Sequence, residues 1–293
     1  MKENFFGNTP QVEKRNDTLH PAIEHAHSKA KHHLEQNQIN LHDFTELYGR
    51  ENVQRDLDAV KRKESRFEEA PHKKYAEVLE AIMCDQISHG DWFGENVTAT
   101  KSSKFDDYFN GSDLILELKN LEQQLSHLSL SVDVTFGTHT EEEKFLKIKE
   151  GIDNETLGEI KYFHSEQGGM QGKLSKVPQV VIGVEKDHVI ELAGLWAGES
   201  TTTALKEKTV HTLKTHHIQD LILSEMIYEL TVFRNYAENT GKKSLIPHFE
   251  KNLMILENIR REKGVISIGE LRDDKVYLAI KESMKMFKTQ ESK

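Results

Sequence analysis

Between residues 71 and 88 apolar side chains recur three and four apart, with Tyr75, Val78, Leu79, Ile82, Met83 and Ile87 on one face. That spacing predicts an amphipathic helix, and Pro71 suits its first turn. Past Gly90 and Gly94 the period shortens to two. Leu114, Leu116 and Leu118 alternate with Asp113, Ile115, Glu117 and Lys119, and Leu128, Leu130, Val132, Val134 and Phe136 alternate with Ser129, Ser131, Asp133 and Thr135. Both runs predict strands with one buried face and one face carrying polar groups. The preceding stretch, TATKSSKFDDYF, reads as a further strand that turns into the next at Asn110-Gly111, a strong hairpin signal. THTEEEKFLKIKEGI has the acidic first turn of a helix start, with Phe145, Leu146, Ile148 and Ile152 as its apolar side. A glycine-rich loop, SEQGGMQGK, then leads to VPQVVIGV, dense enough in β-branched residues for a buried strand, and DHVIELAGLWAG follows as a helix. The predicted order is helix, strand, strand, strand, helix, strand, helix.

The flanks differ. Residues 1–20 are polar and aperiodic, which predicts a flexible end. Residues 21–70 read as a helical extension, weakly amphipathic to residue 38 and highly charged from 41 to 69. From residue 201 to 293 only helices are predicted, in apolar stripes closed by Gly241 and Gly264. An α/β core over residues 71–200 is therefore expected between two helical regions. The C-terminal stripes are packing surfaces in the first instance, and they offer a face for a protein partner or a second copy of the chain.

Composition narrows the picture. Cys84 is the only cysteine, so neither an internal disulfide nor a cysteine zinc site is available, and a reducing, cytoplasmic setting fits. No run approaches the roughly 18 apolar residues needed to span a bilayer, and no signal peptide is expected. The net charge of −10 opposes a polyanionic partner. Residues 70–200 hold 12 basic against 23 acidic residues, so a nucleic-acid partner there requires cations that offset the local field.

The acids on the polar strand faces are the candidate chemistry. Two or three carboxylates meeting in one cleft can hold Mg²⁺ or Mn²⁺, and phosphodiester cleavage needs what such an ion supplies, an activated water and neutralised phosphoryl charge. Gly111-Ser112-Asp113-Leu114-Ile115 and Val132-Asp133-Val134-Thr135, with the order of elements around them, resemble the PD-(D/E)XK nuclease superfamily over residues 72–200. The resemblance implies a restriction-endonuclease-like core, helix-strand-strand-strand-helix-strand, acting as a metal-dependent nuclease on nucleic acid. It implies Asp113 and Asp133 as catalytic metal ligands. Thr135 stands where the family has lysine. Some members draw that lysine from the following helix, where Lys144, Lys147 and Lys149 are available, and Lys147 in mid-helix is the choice. Glu77 or Glu80, and Glu117, are further possible ligands. A second registration pairs Asp107 with Glu117-Leu118-Lys119.

The alternative reading is a catalytically inactive core of the same kind, serving as a scaffold for protein partners bound through the helical regions. Solvated strand acids need no function, and net acidity and Thr135 favour this reading. The histidines at 25, 27, 32, 33, 216 and 217 lack the four-residue spacing of a helical metal pair. GGMQGK is too short for a phosphate-binding loop. The run KRKESRFEEAPHKK reads as a solvated helix face, and it is the best basic patch for phosphate contact.

Overall fold

A computed structural model of the chain describes residues 19–67, 70–120, 122, 124–133, 139–165, 168–198, 202–264 and 273–288, excepting the side chains at 133 and 139–141. The expected flexible end over residues 1–18, and Val134, Thr135 and Phe136 of the third predicted strand, lie outside the described residues.

The chain opens with α1 (Pro21–Asn37), α2 (Thr45–Tyr48), α3 (Arg50–Glu64) and α4 (Pro71–Ser88). The charged helix expected over 41–69 is broken at Gly49, whose φ of 80° is a conformation glycine adopts without strain. On α4 all six residues of the predicted stripe are buried. Glu80, Ala81, Cys84 and Gln86 are buried too, because α4 is wrapped by α1 and a later helix as well as by the sheet.

Next come β1 (Val97–Lys101), β2 (Leu114–Lys119), β3 (Leu125–Asp133) and α5 (His139–Asp153), followed by β4 (Gly158–His164), β5 (Gln171–Val177) and β6 (Gln179–Gly183). The main sheet has the order β1-β2-β3-β6. Its first two pairings are antiparallel and β3 runs parallel to β6. A parallel neighbour demands a crossover, which α5 supplies. In register, Leu114 faces Leu130 and Leu116 faces Leu128, so the predicted alternation puts these leucines on one face, in the same buried cluster as Val78, Leu79 and Ile82 of α4.

Two expectations are corrected. Gln171, Gly172 and Lys173 of SEQGGMQGK are not loop but the start of β5, which pairs antiparallel with β4 as a hairpin ahead of β6. That hairpin, with α2 and the segment before it, covers the second face of the sheet. Ile115 packs there with Phe44, Tyr162 and Phe163, so this face is not merely solvated. Nor do β1 and β2 meet in a two-residue turn. β1 stops at Lys101, Asp106–Asn110 forms one π-helical turn, and Gly111, at φ 68°, ends it in the left-handed region that Asn-Gly favours. Asp106 explains the detour. Wholly buried, it accepts hydrogen bonds from the amides of Lys161 (2.7 Å) and Tyr162 (3.0 Å), from Ser103 Oγ (2.7 Å) and from Asn110 Nδ2 (2.7 Å), pinning the turn to β4.

The C-terminal region holds α6 (Lys186–Ala197), α7 (Thr203–Lys214), α8 (Ile218–Asn239), α9 (Ile246–Lys263) and α10 (Lys275–Ser283). The predicted stripes of α8 and α9 are used inside the molecule. Leu221, Met226, Leu230, Phe249 and Leu256 share a buried cluster with the leucines of β2 and β3. Glu225 and Glu229 of α8 accept the outward amides of β6, from Gly183 at 3.2 Å and Val181 at 2.9 Å, closing the sheet edge. Among the described residues no helix is long and apolar enough to cross a membrane.

Candidate functional site

Where β1 gives way to the π turn, two carboxyl groups bond one ammonium and a third acts on it by charge. Lys101, the last residue of β1, is buried with its side chain 7% exposed, and its Nζ donates to Glu80 Oε2 at 2.8 Å and Asp107 Oδ2 at 2.9 Å. Glu80 comes from α4 and Asp107 from the π turn. Asp113 stands just before β2, where its amide donates to the carbonyl of Leu130 (2.8 Å) and its Oδ2 accepts from the amide of Val132 (2.7 Å).

The charges do not balance. Burial opposes the ammonium of Lys101, but Glu80, Asp107 and Asp113 together hold it well above the ordinary lysine value, so it is charged. Burial raises the carboxyl of Glu80, with Lys101 pulling the other way. Burial and then the charges of Glu80 and Asp107 push Asp113 up to about 8, against the smaller opposing pull of Lys101 and Lys144. The ionised form of Asp113 is thus disfavoured, by burial first and by the neighbouring acids second. A hard cation beside it would favour that form, and an all-oxygen donor set suits Mg²⁺ or Mn²⁺.

Tyr108, Phe109 and Gly111, with Lys144 and Lys147 of α5, Ser131 and Gln179, line a cleft of about 300 Å³, whereas Lys101, Glu80, Asp107 and Asp113 are not among its lining residues. Lys144 belongs to both places, since it lines the cleft and acts on Asp113.

Of the predicted residues, Asp113 is in the cluster. Asp133 ends β3, where its backbone is paired with Gly183, and its side chain lies outside the described residues, as does Thr135. Lys147 lines the cleft but is exposed, and Lys144 is the lysine of α5 whose charge bears on Asp113. Glu77 bonds His27 Nε2 at 2.6 Å and is half-exposed, so it serves the contact between α1 and α4, while Glu80 enters the cluster. Glu117 is buried on the face of Ile115, opposite His127 in register and 3.4 Å from its Nε2. Asp107 and Glu117, the acids of the second registration, therefore do not share an environment, as Asp107 is bonded to Lys101. Lys101 was not foreseen. A lysine closing a short polar strand carries no sequence mark of burial, and only the neighbouring acids, distant in sequence, explain it.

Elsewhere among the described residues, Glu185, His188 and Asp274 place ligating atoms within 4.8 Å of one another. Asp274 caps α10 by accepting from Tyr277 N (2.9 Å) and also accepts from Glu185 N (3.1 Å), which accounts for its burial without an ion.

Comparison with family models, with curated proteins and with solved structures found no match to this chain.

Proposed function

We propose that the chain is a divalent-metal-dependent nuclease that hydrolyses phosphodiester bonds where β2 and β3 open onto the cleft. The order α4, β1, β2, β3, α5, β6, with β6 parallel to β3, supports a restriction-endonuclease-like core into which the β4–β5 hairpin is inserted. The observation that carries the reading is the hydrogen bond from Val132 N to Asp113 Oδ2, which brings the first motif acid against the backbone beside Asp133, the second.

Asp113, Asp133 and Glu80 would hold Mg²⁺ or Mn²⁺. Bound there, the ion supplies an acidified water and offsets charge on the phosphoryl oxygens. Lys101 keeps Glu80 and Asp107 in fixed positions by donating to both, and Lys144 lowers the cost of ionising Asp113. For the role of the lysine missing at Thr135 we choose Lys144 over Lys147, both on the helix that follows β3, because its charge bears on Asp113.

The inactive scaffold is favoured by one feature, the ammonium of Lys101 already lying between Glu80 and Asp107. Incubating the purified protein with mixed single- and double-stranded DNA and RNA in Mn²⁺ separates the two. Cleavage that disappears in Asp113→Asn and Asp133→Asn supports the nuclease; no cleavage, or equal cleavage by all three proteins, supports the scaffold.

A further inference from the structure

The basic run of the sequence and the π turn lie far apart in the chain and meet beside the cleft. Lys63 Nζ donates to the carbonyl of Tyr108 at 2.8 Å and sits 5.3 Å from the ring centre of Phe109. Phe67 meets Tyr108 edge to face at 5.2 Å, and Lys73 lies 4.5 Å over Phe67. Phe67 and Phe109 are 46% and 45% exposed, which leaves two large apolar rings in water on one strip. Phe109 is braced from behind by Phe105 at 4.9 Å. From Phe109 the strip runs directly into the cleft, whose far wall carries Lys144 and Lys147.

Rings held by the backbone and interleaved with lysines are what a single strand needs, because every base has a face to stack and every link a phosphate to neutralise. Phe67 and Phe109 lie outside the buried clusters of the described residues, each with one ring partner, Tyr108 and Phe105 respectively. Lys63 and Lys73 supply the positive charge of the strip, and Glu64, which accepts from the Tyr108 hydroxyl at 3.2 Å, is paired with Lys104. The size of the cleft points the same way. At about 300 Å³ it is at the small end of ligand sites, the scale of a nucleotide unit.

We propose that the strip Phe67–Tyr108–Phe109, with Lys63 and Lys73, binds a single-stranded nucleic acid by stacking bases on the two phenylalanines and leads it into the cleft between Phe109 and Lys147. The proposal deepens the nuclease reading by naming its substrate as single-stranded, and it rests on that reading only for the choice of polymer. Binding itself requires no catalysis.

Fluorescence anisotropy with a labelled thymidine oligonucleotide, and the same sequence in duplex form, tests it in EDTA and in Ca²⁺. Wild-type protein is expected to prefer the single strand. Phe109→Ala and Phe67→Ala are each expected to weaken it about tenfold while the far-ultraviolet circular dichroism is unchanged, and Phe109→Trp is expected to keep it. Lys63→Ala and Lys147→Ala are each expected to lower the salt slope by about one. Absence of single-strand binding in both buffers, equal or tighter duplex binding, or alanine variants that bind like wild type would overturn the proposal. The outcomes also separate the two readings. Ring-dependent binding without Mn²⁺ cleavage retains this site and removes the nuclease, whereas cleavage that is indifferent to Phe67 and Phe109 retains the nuclease and removes this site.

Discussion

The sheet is flanked by two sets of carboxyl groups in different surroundings. At its β6 edge, Glu225 and Glu229 are fully buried, each with one oxygen on a strand amide and neither with a cation among the described residues. Burial drives both carboxyls well above the ordinary glutamate value, so they sit as neutral acids that finish the hydrogen bonding of an edge strand. Where β1 gives way to the π turn, a charged lysine holds two acids in place, and a third acid has its ionised form disfavoured by burial and by its acidic neighbours. Burial alone therefore does not mark a functional carboxylate. The distinguishing feature is the buried ammonium of Lys101 set among the acids.

The largest expected effect breaks the edge. Glu229→Ala leaves the amide of Val181 without its partner and opens a cavity, so urea unfolding should show a loss of about 3 kcal/mol, whereas Glu229→Gln should cost less than about 1 kcal/mol. Asp113→Asn should leave stability unchanged or slightly raised, because it removes an acid whose ionised form burial disfavours. Equal losses from Glu229→Ala and Asp113→Asn would erase the comparison.

The pH dependence of stability sharpens it. Glu225 and Glu229 have folded values above their ordinary value of 4.5. Their contribution is complete below that value and is lost as pH rises toward and through the elevated ones, by up to about 1.4 kcal/mol per pH unit for each group. Thermal melts should therefore fall from about pH 5 upward, and Glu225→Gln with Glu229→Gln should flatten the decline. An unchanged slope in the double variant would show that the acids are not buried as neutral groups.

Smaller effects distinguish the two lysines of α5. Lys144→Ala should lower Mn²⁺-dependent cleavage about tenfold, as the loss of one group that tunes a ligand acid does, while Lys147→Ala should change the cleavage rate less than about threefold. A reversal of that order would return the assignment to Lys147.

Much of this arrangement was legible in the chain. The alternation around Asp113 and the helical stripe over Tyr75–Ile87 each follow from a local period, and β6 follows from the β-branched density of VPQVVIGV. What escaped were contacts between distant residues. Glu80 reads as one more polar position of α4 until Lys101 arrives beside it, and Lys144 is distinguished from Lys147 only by which one faces Asp113. β4 and β5 were hidden because their apolar residues are few and glycines crowd the stretch, with Gly168 and Gly169 before β5 and Gly172 within it. The neutral pairing of Glu225 and Glu229 with β6 is likewise invisible in a helix whose acids, four apart, look like an ordinary solvated row.

The central claim is that Asp113 and its neighbours take up a divalent cation. Electron paramagnetic resonance of Mn²⁺ titrated into the protein tests it most directly, since bound ion loses its free-solution signal. The account predicts saturable uptake by the wild-type chain that Asp113→Asn weakens by at least tenfold and that Lys147→Ala leaves intact. Uptake that is undiminished in Asp113→Asn, or no uptake by the wild-type chain, contradicts it.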